Sequence, residues 1–294
     1  MGRDYRQGDS LWQQTQDMLR RYHLRARKGL GQHFLVDDGV LQLILTAAGL
    51  EPADVVLEVG PGLGLLTREL ARRAGRVVAV ELDRRLAGIL ELTLAPLGNV
   101  SIVNEDILEI EPEALLREPT AGHPPEYKVV ANLPYYITSA VLRHFLEASL
   151  RPRTMVVMVQ REVGEVIAAA PGKMSLLSVS VQLYGRPEII GPVPAASFYP
   201  PPEVDSVLLR VDLYPQPAVA VSDVAGFFKV VRAGFRAPRK QLANSLAQGV
   251  GRPRTEVSAW LEQAGIEPRR RPQTLSLEEW ARLWRVIYQA RRGG

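Results

Sequence analysis

Val55-Val56-Leu57-Glu58-Val59-Gly60-Pro61-Gly62-Leu63-Gly64 opens a stretch that continues through Val77-Val78-Ala79-Val80-Glu81, Ile102-Val103-Asn104-Glu105-Asp106 and Val129-Val130-Ala131-Asn132. Each piece is a short apolar run, rich in Val, Leu and Ile, that stops at a small or polar residue. Turn or helix signals lie between the runs. Buried parallel strands read this way when helices cover both faces of the sheet. The sequence therefore predicts an α/β domain with a mostly parallel sheet. Open α/β sheets bind ligands at the carboxyl ends of their strands, where this chain places Gly60, Gly62, Glu81, Asp106 and Asn132.

The glycine loop Gly60-Pro61-Gly62-Leu63-Gly64 lets backbone approach a ligand closely, and Pro61 fixes the turn. Its spacing lacks the third glycine of the dinucleotide fingerprint G-x-G-x-x-G, which counts against NAD or FAD. Alone, such a loop can be only a tight turn. Glu81 ends the second run 21 residues after Gly60, about where an acid accepts from ribose hydroxyls. Asp106, expected to end the third strand, suits an adenine amino group. Together these ends predict a nucleoside site.

Asn132-Leu133-Pro134-Tyr135 carries the chemistry. An exocyclic amino nitrogen is a poor nucleophile because its lone pair is delocalised into the ring, so it needs hydrogen-bond acceptors rather than a strong base. The Asn132 side-chain oxygen and the Leu133 carbonyl can accept both N–H bonds and draw the nitrogen towards tetrahedral geometry. Pro134 stiffens the loop and Tyr135 offers a face for stacking on the base. The pattern suits methyl transfer from a sulfonium held by the glycine loop.

Apolar residues make up 46% of the chain and charged ones 23%, the balance of an ordinary globular protein. No apolar run approaches the roughly 18–20 residues of a membrane span, and the N-terminus lacks a signal-peptide core. Without any cysteine there is no disulfide, thiolate catalysis or cysteine-ligated metal. His23, His123 and His144 are scattered without ligand spacing, so no metal is expected. A cytoplasmic protein is the simplest expectation.

Charge is unevenly spread. Residues 214–294 carry 14 Lys/Arg against 6 Asp/Glu and residues 1–28 carry 7 against 3, while residues 29–213 are net −8. Basic ends around an acidic middle suit a polyanionic partner, or simply a solvated Arg-rich surface. The extension 1–28 is expected to form an amphipathic helix from Leu11 to Tyr22 and then fray, as either an RNA-contacting arm or a plain appendage. The glycines in Lys28-Gly29-Leu30-Gly31-Gln32-His33-Phe34-Leu35 predict an irregular segment, followed by a helix capped by Asp37 or Asp38. Thr154–Gln160 reads as a strand, Arg161–Ala170 as a helix, and Ser175–Tyr184 and Val204–Leu213 as the last strands. Leu213-Tyr214-Pro215-Gln216-Pro217 reads as a linker. Beyond it, Ser222–Phe235, Lys240–Gln248, Arg254–Ala264 and Ser276–Arg291 have helical periodicity, the last with a Ser276/Glu279 capping box. Arg232, Arg236, Arg239 and Lys240 can cluster there against an RNA backbone.

The chain resembles the ribosomal RNA adenine dimethyltransferase family, most closely its small-subunit branch. The blocks KGLGQHFL, EVGPGLGLLT, VELD, NLPYYIT, MVQREVGEVI, LSVSVQLYG, FYPPPEVDSVLLR, FRAPRKQLANSL and RPQTLSLEEWARL carry the resemblance from about Arg27 to Ile287. It implies a Rossmann-like class I S-adenosylmethionine-dependent methyltransferase domain over 29–213, its mostly parallel sheet carrying an antiparallel edge. A small all-α RNA-binding domain would follow over 214–294. It implies S-adenosyl-L-methionine as donor and dimethylation of N6 on two adjacent adenosines of small-subunit (16S) ribosomal RNA, with the immature small ribosomal subunit as partner. Under the resemblance His33 and Leu35 line the methionine end of the donor, Gly60 approaches it, Glu81 holds the ribose and Asp106 the adenine. Asn132 bridges donor and acceptor, while Leu133, Pro134 and Tyr135 form the target pocket. Phe198 completes an aromatic sandwich with Tyr135, although read alone it is equally a core residue; Pro200 to Pro202 after it argue for a rigid exposed loop. His33 stands where the family often has Asn, and Pro238 where a second Arg is usual, which puts one RNA contact in doubt. A large-subunit dimethyltransferase of the antibiotic-resistance type and a mainly non-catalytic ribosome-assembly factor are the competing readings. Leu133 and the C-terminal blocks favour the small-subunit branch. No heptad pattern demands a dimer, so a monomer is expected.

Overall fold

A computed structural model of the chain describes residues 9–117 and 126–292; His123 and the first eight residues lie outside them. Among the described residues there are nine strands: β1 (Phe34–Leu35), β2 (Val55–Val59), β3 (Arg76–Val80), β4 (Val100–Val103), β5 (Tyr127–Asn132), β6 (Thr154–Gln160), β7 (Gly185–Val193), β8 (Phe198–Tyr199) and β9 (Ser206–Leu213). The helices are α1 (Leu11–Arg21), α2 (Asp38–Ala48), α3 (Leu65–Ala71), α4 (Arg84–Leu94), α5 (Pro112–Leu116), α6 (Thr138–Glu147), α7 (Arg161–Ile167), α8 (Leu176–Gln182), α9 (Val224–Gly234), α10 (Leu242–Val250), α11 (Arg254–Gln263) and α12 (Leu277–Arg292).

Seven strands form one sheet in the order β4-β3-β2-β5-β6-β9-β7, and β1 pairs antiparallel with β8. Strands β4 to β6 run parallel, and β9 lies antiparallel to β6. The parallel strands are apolar along their length because both faces are covered: Val56, Leu57, Val77, Val78, Val129, Val130, Val156 and Val157 are all buried. From β2 the chain winds outward to β3 and β4, then returns to place β5 on the other side of β2. That reversal makes the β2/β5 boundary the switch point, and its carboxyl ends carry the glycine loop and Asn132.

By their contacts, the described residues form two compact units. One comprises the chain to Gly164 with Glu188–Leu213, the other Glu165–Pro187 with the chain from Tyr214 onwards. In the first unit α1 is an ordered helix with a Ser10/Gln13 capping box, and it buries Leu11 and Met18. Its first backbone amide, Leu11 N, donates to the Asp38 carboxylate at 3.2 Å. Asp37 caps α2 by accepting from Gly39 N and Val40 N. In the second unit the Gly172 and Met174 amides donate to Gln273 O at 2.8 and 3.2 Å, which ties residues 165–187 to the C-terminal helices although they lie within 29–213. Helices α9 to α12 follow the expected periodicity. The Ser276/Glu279 capping box forms, and Glu279 also pairs with Arg270.

Two local expectations are corrected. Ser175–Tyr184, read as a strand from its Ser/Val alternation, contains α8. Ser175 caps that helix by accepting from Ser178 N at 3.1 Å, Ser180 Oγ donates to Leu176 O at 2.8 Å, and Ser178 Oγ donates to Val166 O. The hydroxyls that looked like the wet face of a strand are spent on caps and carbonyls, and the missing strand is β7, ten residues further on. The third sheet strand ends at Val103, so Asp106 stands in the turn beyond it rather than at its end.

Candidate active site

The donor end is built from backbone amides and buried acids. Gly60, Gly62 and Gly64 have φ of 67°, 60° and 75°, a left-handed run that only glycine adopts without strain. At Gly64 an added Cβ would lie 2.6 Å from Leu90 Cδ2, so close packing of α4 against the loop also demands glycine. The loop folds onto Glu81: Gly62 N donates to Glu81 Oε2 at 3.1 Å, and Asp83 N donates to Oε1 at 2.9 Å. Burial pushes the Glu81 carboxyl up, and these two amides pull against that shift. Each oxygen still has a lone pair for a ligand. Asp106 lines the same pocket, with Oδ1 accepting from Leu108 N at 2.9 Å.

Glu58, which the sequence analysis passed over, also lines this pocket. It is 2% exposed and its Oε2 has no hydrogen-bond partner. Burial pushes its carboxyl up to about 8. A charged residue inside the apolar run Val55–Val59 was the available signal, since acids are almost never fully buried without a partner.

At the acceptor end, Asn132 Nδ2 donates to His33 O at 2.9 Å. With its N–H side engaged, the amide presents Oδ1 as an acceptor. His33 is held in turn by Pro200 O, 2.7 Å from Nδ1. A carbonyl only accepts, so Nδ1 carries the hydrogen of this bond. The His33 and Tyr135 rings stack with centroids 5.9 Å apart at 21°, and the Tyr135 hydroxyl and Ser206 Oγ are 2.7 Å apart. Burial raises the Tyr135 phenol, opposed by this bond. Pro134 O accepts from Ile137 N, which closes the loop tightly.

His33, Leu35, Gly60, Gly62, Glu81, Asp106, Asn132, Leu133, Pro134 and Tyr135 all line this one pocket. Phe198 does not. It is 2% exposed and packs in the hydrophobic core, where β8 pairs it with Leu35. A support that sequence reading also missed is Asp83, which pairs with Arg27 at 3.3 Å and accepts from Gln32 Nε2, tying the N-terminal segment to the Glu81 loop. Its position as N-cap of α4 could have flagged it. In the second unit Arg232 and Arg236 border one hollow with Lys229, whereas Arg239 and Lys240 lie exposed in the turn before α10. Among the described residues no cluster of His, Asp and Glu could hold a metal ion, and no helix is long and apolar enough to cross a membrane.

The model of the family described as ribosomal RNA adenine dimethylase matches residues 23–289. A ribosomal RNA small subunit methyltransferase A from Dehalococcoides mccartyi is 54% identical over 276 residues, covering 93% of this chain and 92% of its own. The protein of that name from Moorella thermoacetica is 45% identical, with 93% and 96% covered. Among solved structures, the 23S rRNA methyltransferase ErmE is 33% identical with a TM-score of 0.68, over 87% of this chain and 100% of that one. A dimethyladenosine transferase from Plasmodium falciparum, 22% identical over 89% of this chain and 98% of its own, has a TM-score of 0.72 and supports the fold alone. With a match that spans nearly the whole sequence and a switch-point pocket that gathers its motifs, the chain belongs to the ribosomal RNA adenine dimethylase family.

Proposed function

We propose that the protein uses S-adenosyl-L-methionine to dimethylate N6 of two adjacent adenosines in the 3′-terminal hairpin of small-subunit (16S) ribosomal RNA during ribosome biogenesis. The relatives named for the small subunit, at 45% and 54% identity, support this branch over the large-subunit one, whose solved representative stands at 33%. The substrate partner is then the immature small ribosomal subunit, met in the cytoplasm by a monomeric enzyme. Residues 29–213 do the chemistry and 214–294 hold the RNA.

The single observation that carries the mechanism is the anchored Asn132 amide. The donor supplies an electrophilic methyl group on a sulfonium. The pocket's own chemistry fits such a cation: Glu58, Glu81 and Asp106 all line it, and Glu58 Oε2 is buried without a partner. Glu81 accepts from the ribose hydroxyls and Asp106 from the adenine amino group. The Gly60 and Gly62 backbone lies along the donor, and His33 and Leu35 bound its methionine end. Asn132 Oδ1 and Leu133 O accept the two N–H bonds of the target amine, so the nitrogen lone pair is freed for attack. Tyr135 stacks on the extruded base, as enzymes that act on a base require. Phe198, packed in the core on β8, backs this site rather than lining it. Arg232, Arg236, Arg239 and Lys240 bind phosphates, positioning the RNA without reading its bases.

The test is transfer of labelled methyl groups to immature small and to large ribosomal subunits, with Asn132→Ala alongside. Label on small subunits with the wild type, and none with a variant that still binds donor, is the expected result. Undiminished transfer by Asn132→Ala overturns the mechanism, and label confined to large subunits overturns the branch.

A further inference from the structure

Outside the pocket, two large aromatic rings stand exposed side by side. Trp12 on α1 is 39% exposed and Tyr199 on β8 is 40% exposed, with ring centroids 5.3 Å apart at 77°. Neither lines the pocket, and α1 has no role in the methyl transfer proposed above. The pair is built rather than accidental. Leu11 and Met18 anchor α1 in the core, Leu11 N is held by Asp38, and β8 is registered against β1 with Tyr199 opposite Phe34.

The pair is continuous with the target site. Tyr199 precedes Pro200, whose carbonyl holds His33 Nδ1, and the His33 ring stacks on Tyr135. Tyr136, the next residue, is 61% exposed. Tyr199 thus stands one residue from the carbonyl that anchors His33 at the pocket. The carboxylates that border Trp12, Asp37 and Asp38, are already engaged by Gly39 N, Val40 N, Ser197 Oγ and Leu11 N. A surface of ring faces beside acids suits a neutral base and not a phosphate.

We propose that Trp12 and Tyr199 form a stacking ledge for an unpaired base of the RNA strand flanking the target adenosine. The ledge rests on the RNA-methylation reading and deepens it. Single-stranded RNA is gripped in this way because every base has a π-face, and stacking tolerates sequence. The N-terminal extension is then neither a phosphate-gripping arm nor an inert appendage: its helix delivers one ring to the substrate.

Trp12 is its own reporter, since Trp260, Trp280 and Trp284 are buried. Titration with an oligoribonucleotide hairpin that carries two adjacent loop adenosines should quench tryptophan emission in the wild type. In Trp12→Phe the quench should vanish. In methyl transfer to immature small subunits, Trp12→Ala and Tyr199→Ala should raise KM for the subunit roughly 5- to 100-fold, with kcat and the KM for donor within about twofold. Trp12→Phe and Tyr199→Phe, which keep a ring, should stay near the wild type. Thermal melting of each variant separates a lost ledge from a lost helix. An unchanged KM in the alanine variants overturns the ledge, as does equal loss in the alanine and phenylalanine variants. Quenching by subunits but not by the hairpin also overturns it and points to a ribosomal protein contact. If the wild type transfers no methyl to small subunits while the hairpin still quenches Trp12, the functional reading fails and the ledge stands.

Discussion

The pocket at the β2/β5 switch point and the basic face of the C-terminal helices solve opposite electrostatic problems. In the pocket two acids are buried: Glu81 is held by two backbone amides, whereas Glu58 has no partner for Oε2. On α9 and in the turn that follows it, Arg232, Arg236, Arg239 and Lys240 are exposed. Buried acids act at short range and demand one geometry, whereas exposed cations act through a screened field and tolerate many. The first arrangement suits one small cationic nucleoside; the second suits a polyanion bound without reading its bases, as proposed. Substitutions in the pocket should therefore act steeply and singly, and those on the helices weakly and together.

The sharpest break should come from Asn132→Asp. It keeps an acceptor oxygen but removes the N–H that donates to His33 O, setting an anion against a carbonyl. The single-turnover rate at saturating donor should fall about 10²- to 10³-fold, the cost typical of losing one positioned polar group in a transition state. Glu81→Ala comes next. It should raise the donor Kd about 10- to 100-fold, readable by calorimetry, because it removes the proposed ribose acceptor and strands the Gly62 and Asp83 amides.

Glu58 gives the pH test. Its carboxyl holds a proton up to about 8 in the folded chain, against an ordinary value of 4.5. The folded state thus binds a proton that the unfolded chain has released between those values. Stability from this group is fully present below about pH 4.5 and is lost as pH rises through about 8, at no more than about 1.4 kcal/mol per pH unit. Thermal melts of the ligand-free protein should fall across that window, and Glu58→Gln should flatten the dependence. Since a cationic ligand favours the ionised carboxylate, donor binding below about pH 8 should release protons, and the release should fade well above pH 8, where the carboxyl is already ionised. The smallest effects belong to the helices. Each of Arg232→Ala, Arg236→Ala, Arg239→Ala and Lys240→Ala should weaken RNA binding a few-fold and lower the slope of log K against log salt by about 1. None should alter the donor Kd.

The same contrast explains what the sequence made legible. Parallel strands buried on both faces leave unbroken Val runs, and the residues that end them mark the ligand site, so the sheet and most of the pocket could be read from Val55 to Asn132. Glu58 escaped because it lies inside a run rather than at its end. The Ser175–Tyr184 segment misled because Ser/Val alternation has the period of a strand, while its hydroxyls are taken up by the Ser175/Ser178 capping box and by the Val166 carbonyl. The resemblance sets Phe198 opposite Tyr135, but an aromatic residue beside prolines is by itself equally core or platform, and pairing with β1 locates it in the core. The docking of α1 through Leu11, Met18 and Asp38 is likewise a tertiary fact that amphipathicity alone does not contain.

The most direct test is to incubate the wild-type protein with S-adenosylmethionine and both immature small and large subunits, then map modified adenines at nucleotide resolution with mass spectrometry of the fragments. The account predicts N6,N6-dimethyladenosine at two adjacent positions near the 3′ end of the small-subunit RNA and none in the large subunit. Dimethylation in the large-subunit RNA, or modification of the small-subunit RNA at any atom other than adenine N6, would contradict it.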